Sequence, residues 1–344
     1  MTKSALSATD FRPFVPTAGM LWEPVWNLRV QLTPCERDLL NTWSLRRLGF
    51  IRTFGAGGLV MPTQHSRLSH VQGVFALTAH FQPHDEILRL AALLHDVGHG
   101  PFSHSSEALP GFDHHQVGRE IIMGEEVGDL LRRYGYEPAQ IVALTEGQPP
   151  NPVRTQNGLL HLDHLDFFAR DPFICGWHTP LPADLLPRLY LDGPNVAADL
   201  VTAEHFVERI LFEHRLFTVP AKIAAEAVLE RLFILGSQRG IFGRNPQDIA
   251  TLTDAAALAR LEQANDPEIA AWLDRLLRRP HTLTVRRLIV GESPPAKALV
   301  FRLEKPYVNQ PLVDGHPVGE VSAKAAAMLR EAQALLGSFV VELL

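Results

Sequence analysis

The stretch "LLHDVGHGPFSH", residues 93–104, sets three histidines and an aspartate directly behind an apolar run, with two glycines and a proline among them. In "HDEILRLAALLHD" (84–96), Ile87, Ala91 and Leu94 fall at helical spacing, so the run reads as a helix with a buried face. His95 and Asp96 then lie at its C-terminal end, with Gly98 as the expected stop. Neighbours inside a helix point ~100° apart, but at a helix end both can bend toward one point. A neutral imidazole beside a carboxylate suits a divalent Mn, Fe, Co, Ni or Zn ion, and Mg where oxygen ligands dominate.

Two ligands do not make a site, and the chain offers more. Nine of the 16 histidines lie between His65 and His115. A buried histidine is costly without a partner, so a cluster of them implies a shared ligand or a shared proton. "HSRLSHVQGVF" (65–75) reads as a helix carrying His70, with Arg67 three residues earlier on nearly the same face. "NGLLHLDHLDFFARD" (157–171) puts Asp163 and Asp166 on an apolar, aromatic helix, where a carboxylate needs a partner. Asp166 with Arg170 reads as a helix salt bridge, and His161 and His164, three apart, as a further pair that could bind a metal.

The 344 residues are 20% charged and 46% hydrophobic, a globular composition. The net charge of −6 excludes a bulk field that attracts nucleic acid or an anionic membrane, and neither is an expected partner. Cys35 and Cys175 form no CxxC, and no run reaches the ~18 apolar residues of a membrane span. A reduced, cytoplasmic protein is the expectation. Residues 1–21 read as an extended arm, and "EPVWNLRVQLTP" (23–34) as a strand or hairpin. "TPCERDLLNTWSLRRLGFI" (33–51) reads as one helix, capped by Thr33 with Glu36 three residues on, and "GAGG" (55–58) as a turn. Further helices are expected at 114–123, 125–135, 138–147 and 221–235. After Pro280 the texture shifts to strand, helix and strand. The fold expected is mainly α: a helical body over 22–280 with a small α+β region over 281–344.

The ordered set "HSRLSH" (65–70), "HDVGHGPFSH" (95–104) and "DHLDFFARD" (163–171) resembles the HD-domain phosphohydrolases, within them the deoxynucleoside triphosphate triphosphohydrolase branch. The likeness extends over roughly residues 22–344 and implies an HD-type helical bundle. It implies His70, His95, Asp96 and Asp163 as metal ligands and Arg67 as a phosphate contact. It implies His99, His104 and His115 on the catalytic side, with His104 as proton donor to the leaving oxygen, His115 or its neighbour His114 assisting, and Glu107 as acidic partner. Asp171 falls where the family binds the sugar. The resemblance also implies a nucleotide substrate and a homo-oligomer.

The substrate side departs from the family. Thr53-Phe54-Gly55 stands for Gln-Leu-Gly, Phe167 for a tyrosine, and Trp26-Asn27 for His-Gly. "HRLFTVPAKIAAE" (214–226) replaces a run with Tyr and His, leaving Arg215 and Lys222 as its cations. Three readings follow: a nucleotide phosphohydrolase releasing nucleoside and triphosphate, a nucleotidase or phosphodiesterase on another phosphate ester, and a non-catalytic nucleotide sensor. Loss of a ligand would mark the third, and every ligand is in place.

Overall fold

The computed structural model describes residues 19–61, 65–243, 245–289 and 291–344. Most of the expected arm, residues 1–18, lies outside them. The described chain opens with an antiparallel hairpin of β1 (Met20–Glu23) and β2 (Leu28–Gln31), registered Met20↔Gln31. Helices α1 (Pro34–Leu40), α2 (Trp43–Arg46), α3 (Arg67–Phe81) and α4 (Glu86–Leu94) follow, then α5 (His114–Met123), α6 (Glu125–Arg133), α7 (Pro138–Thr145) and α8 (Leu162–Ile174). After α9 (Pro182–Leu185) come the antiparallel strands β3 (Leu189–Asp192) and β4 (Asn195–Ala198). Helices α10 (Leu200–Phe217), α11 (Pro220–Gln238), α12 (Asp254–Gln263) and α13 (Pro267–Leu277) complete the mainly helical body.

The C-terminal region carries β5 (Leu283–Arg287), β6 (Leu299–Leu303), β7 (Leu312–Val313), β8 (His316–Pro317), α14 (Val318–Val321), α15 (Ala323–Ala334) and β9 (Gly337–Leu343). It is laid against the body in three ways. β7 runs parallel to β4, α15 packs along α10, and the sheet β5-β9-β6 packs on α11.

The reading of 33–51 as one helix is corrected by the structure. Thr33 and Glu36 do form the capping box of α1. Asn41 ends that helix, and the Thr42 hydroxyl caps a second start by accepting from Leu45 N–H. The chain then tightens into a 3₁₀ turn at Arg47–Phe50. A side-chain oxygen that satisfies a helix-start N–H competes with continued helix, and here it wins. "GAGG" is likewise a buried 3₁₀ turn, Gly55–Leu59.

Three helices build the core that carries the site. Val71, Val74 and Phe75 of α3, Leu90, Leu93 and Leu94 of α4, and Leu165, Phe168 and Ala169 of α8 are all buried in one cluster. Each large apolar side chain so buried contributes about 1.5–3 kcal/mol relative to exposure. Gly73 lets α3 and α8 approach: a Cβ there would stand 2.0 Å from Asp166 Oδ1 and 2.2 Å from an Arg170 terminal nitrogen.

Candidate active site

α4 ends at Leu94, with His95 as its C-cap still at helical backbone angles and Asp96 just beyond it. His95 Nδ1 lies 2.8 Å from the Ala92 carbonyl oxygen. A carbonyl only accepts, so Nδ1 carries the ring proton and Nε2 presents a bare lone pair. That buried Nε2 has no hydrogen-bond partner. It faces Asp96 Oδ2 at 3.5 Å and Asp163 Oδ1 at 3.8 Å.

His70 is fixed in the same sense from the other side. Its Nδ1 is 2.9 Å from Asp166 Oδ2, and its Nε2 is 3.1 Å from Asp163 Oδ1 and 3.7 Å from Asp96 Oδ2. α3, the end of α4 and the first turn of α8 thus bring His70, His95, Asp96 and Asp163 to one point. Donor atoms of His70, His95 and Asp163 lie within 4.8 Å of one another. Two imidazole Nε2 atoms, one of them the orphaned buried Nε2 of His95, and two carboxylates are a donor set that fits a divalent transition-metal ion.

The electrostatics agree. Burial alone would lower the His70 pKa, but its hydrogen bonds to the Asp163 and Asp166 carboxylates outweigh it and lift the pKa to about 9. Burial works against ionisation of Asp96, yet His95, His99 and Arg67 hold it well below the usual carboxylate range. Asp163 is held down in the same way against its burial by His70, His95 and His164. The carboxylates are therefore charged, and a proton on His70 sits where a cation satisfies them better.

Asp166 does more than the helix salt bridge expected of it. Its two oxygens receive Trp26 Nε1–H (2.8 Å), two Arg170 N–H groups (2.8 and 2.9 Å) and His70 Nδ1–H (2.9 Å). Arg170 also reaches Glu23 at 2.6 Å, and all five side chains are buried. Its sequence signal was a carboxylate on an aromatic helix that required a partner. Trp26 serves both as core and as donor to this carboxylate, a pairing across 140 residues that no local pattern announces.

Arg67, the expected phosphate contact, is buried beside Asp96. It donates to Asp96 Oδ2 (2.9 Å), Ser103 Oγ (3.2 Å) and the Thr53 carbonyl (3.3 Å). Beyond Asp96 the loop reverses through Phe102 and Ser103, both in the left-handed region with φ 56° and 55°. Such a conformation costs of order 1–3 kcal/mol per non-glycine residue and persists only when its surroundings enforce it. Asp254 accepts from Phe102 N–H at 2.7 Å, the Phe102 ring is fully buried, and Ser103 donates to the Arg52 carbonyl. The reversal returns His104 toward Asp96. Gly98 has a reason different from the helix stop expected of it. A Cβ there would lie 2.0 Å from the His114 carbonyl oxygen, so Gly98 permits α5 to press its first residue against the loop.

A second cluster results. Glu107 Oε1 accepts from His104 Nδ1 at 2.8 Å and His114 Nδ1 at 2.6 Å. His99 stacks on His114 with ring centroids 4.2 Å apart, and its Nε2 is 3.4 Å from Asp96 Oδ1. The two clusters therefore meet at His99 and Asp96. Desolvation in the cleft lowers the His104 pKa, with Glu107 pulling the other way, while burial opposes and both histidines enforce the ionisation of Glu107. His115, expected to assist His104, turns its Nε2 to Arg154 at 3.1 Å; the place beside Glu107 belongs to His114. Burial, His114 and Arg154 draw the His115 pKa down to about 4, so it stays neutral.

The expected substrate contacts are the part the structure redistributes. Asp171 is fully buried and paired with His65, whose Nδ1 is 3.3 Å from Thr53 Oγ1. Arg215 is exposed and ion-paired with Glu331 of α15 at 2.6 Å. Lys222 is buried, 3.0 Å from Glu226, with its ammonium over the rings of Phe54 and Phe217. Phe167 joins Phe217 and Tyr307 in an aromatic wall.

Known proteins share parts of this sequence and its fold. Residues 67–144, which span α3 through most of α7, match the family model of the HD domain. The chain is 31% identical to the uncharacterized protein YwfO of Bacillus subtilis over 40% of this chain and 36% of that one. It is 36% identical to the deoxynucleoside triphosphate triphosphohydrolase SAMHD1 homolog of Dictyostelium discoideum over 67% of this chain and 52% of that one. The match to such relatives thus spans about half of their length or less. A solved structure of a phosphohydrolase from Bacteroides thetaiotaomicron superposes with a TM-score of 0.70, covering 94% of this chain and 98% of the other; at 16% identity it speaks for the fold.

Proposed function

We propose that this chain, an HD-domain phosphohydrolase, acts on nucleotides, with a divalent metal ion held by His70, His95, Asp96 and Asp163. The observation that carries the reading is the pair of imidazoles whose Nδ1 atoms are both spent on acceptors, so that both Nε2 atoms converge on two ionised carboxylates. A divalent ion there supplies Lewis acidity to a phosphoryl oxygen and to water.

The chain's own residues supply the rest. Arg67, already beside Asp96, stabilises charge growing on the phosphoryl oxygens. His104, whose Nδ1–H is held by Glu107, presents Nε2 to the departing oxygen and can give a proton there when the ring carries a second proton, a state the Glu107 carboxylate favours. His114 shares that carboxylate and His99 links it to the metal ligands, so proton and metal chemistry are about one imidazole apart. The substrate named first is a deoxynucleoside triphosphate, cleaved to nucleoside and triphosphate. Its support is the likeness to the Dictyostelium relative.

A second reading, a nucleotidase or phosphodiesterase, draws on one specific observation. Phe54 and Phe167 face Phe217 as an apolar wall, and Arg215 is engaged by Glu331. Product analysis separates the two. The protein with Mn²⁺ is incubated with deoxynucleoside triphosphates, ribonucleotides, monophosphates and cyclic nucleotides, and products are resolved by chromatography. Intact triphosphate is the expected product; single phosphate from monophosphates moves the protein to the second reading, and no turnover on any ester overturns both. The homo-oligomer implied by the resemblance is checked by light scattering.

A further inference from the structure

The C-terminal region reaches the candidate site through one short segment. Residues 305–311, "KPYVNQP", are fastened to the chain entering α8 by four hydrogen bonds. Asn309 Nδ2 donates to the Leu159 carbonyl at 3.0 Å, and His164 Nδ1 lies 2.8 Å from Asn309 Oδ1. Leu160 N–H donates to the Gln310 carbonyl at 2.9 Å, and Gln310 N–H to the Gly158 carbonyl at 3.3 Å. Three of these bonds lie three to five residues before Asp163 and the fourth is to His164 of α8 itself, so the segment is tied to the start of the ligand helix.

The anchored segment holds Tyr307 over that start. Its ring centroid is 5.7 Å from His164, 6.1 Å from Phe167 and 5.9 Å from Phe217. Three neighbours fix the ring, yet among the described residues no hydrogen bond reaches its hydroxyl. That oxygen is also absent from the fully buried unpartnered atoms, so it keeps some exposure to solvent. Burial raises the Tyr307 pKa and the charges acting on it are Glu107, Arg67, Asp163 and Asp96, which belong to the two clusters of the site. The phenol therefore stays protonated, a fixed donor beside ionised groups. It also stands next to Phe167, which lacks a hydroxyl of its own.

We propose that Tyr307 is a substrate-contacting residue, whose hydroxyl donates a hydrogen bond to the phosphoryl group of the ester bound between the two clusters. This rests on the phosphohydrolase reading for the identity of the substrate. A neutral donor adds binding to anionic oxygens without adding charge near Arg67. A donor carried by the C-terminal region also makes that region part of the site, so the HD segment alone lacks a substrate contact.

The test is Tyr307→Phe in the full chain, which keeps the ring packed against His164, Phe167 and Phe217. Inorganic phosphate is titrated into the Mn²⁺-loaded protein by calorimetry, metal content is measured, and turnover is followed on the best ester of the product panel. The expected result is unchanged metal content with phosphate binding and kcat/KM weakened roughly 10-fold or more, as for a lost hydrogen bond to a charged oxygen. Equal phosphate affinity in wild type and Tyr307→Phe, with wild type active, overturns the assignment and leaves the phosphohydrolase reading standing. Weaker phosphate binding by the variant, with no turnover by wild type, supports Tyr307 and overturns the hydrolytic reading. A metal-loaded wild type that binds no phosphate overturns both.

Discussion

Replacing Asp166 by asparagine tests whether the buried carboxylate sets the metal centre. Four donors converge on its two oxygens: Trp26 Nε1–H and one Arg170 N–H on Oδ1, and His70 Nδ1–H and another Arg170 N–H on Oδ2. Asparagine offers one oxygen and one NH₂ group in the same volume. If the oxygen faces His70, the NH₂ confronts Trp26 and Arg170, donor against donor. If the NH₂ faces His70, the ring accepts at Nδ1 only by moving its proton to Nε2, which removes the lone pair from the ligand set. Each buried donor left unpaired costs about 1–3 kcal/mol, so two cost about 2–6 kcal/mol on that figure. Glu23 still neutralises part of the Arg170 charge, which places the expected loss of stability near 3–5 kcal/mol, the range for a broken buried ion pair. Metal affinity is expected to fall ~10–100-fold, as when an outer hydrogen-bond partner of a ligating histidine is removed. Denaturant unfolding gives the first quantity and Mn²⁺ titration calorimetry the second, with circular dichroism confirming that the variant is folded. A folded variant that binds Mn²⁺ as wild type does would refute the claim that Asp166 sets the His70 tautomer.

Asp96→Ala is expected to abolish metal retention and activity together, measured by elemental analysis and turnover; wild-type turnover in that variant would remove Asp96 from the centre. His104→Ala is expected to keep the metal and slow turnover roughly 10²–10⁴-fold if it donates the proton, whereas loss of bound metal would make it a ligand. Glu213 is fully buried beside Asp171 with neither oxygen in hydrogen-bond geometry, and burial first, then Asp171, raises its pKa well above 4.5. With the folded value raised, its contribution is favourable below pH 4.5 and is lost as the pH rises, because the unfolded chain releases a proton the folded chain keeps. Glu213→Gln is therefore expected to gain stability relative to wild type between pH 5 and pH 8, with the gap closing toward pH 4; a gap independent of pH would show that Glu213 is not held neutral.

What the sequence made legible follows from where each constraint acts. The apolar spacing of Ile87, Ala91 and Leu94 reports local periodicity, and α4 forms there, but it is buried on every side from Leu88 to Leu94 while Ile87 is only half-buried. The helices at 114–123 and 138–145 begin at sites marked by local chemistry, the Asp113 cap and Pro138. The helix broken at Asn41–Thr42 was hidden because Thr42 is an ordinary interior residue until its hydroxyl is spent on Leu45 N–H. His114 and His115 are adjacent, and only the approach of α5 over Gly98 decides which reaches Glu107.

The substrate side was the least legible for a physical reason. Metal ligation needs fixed residue types at nearly fixed distances, so it leaves a pattern in one segment after another. A pocket wall needs only shape, and shape can be supplied from anywhere in the chain. Phe54, Phe167, Phe217 and Tyr307 come from four distant segments, and their rings stack at centroid distances of 5.7–6.1 Å. Lys222, expected as a free cation for phosphate, is spent on Glu226 and on the faces of Phe54 and Phe217 within that wall. A buried ammonium paired this way stiffens the wall rather than binding an anion. On the proposed reading, discrimination between leaving groups rests on ring packing in this wall, while the phosphoryl group is met by Tyr307 together with Arg67, the histidines and the aspartates.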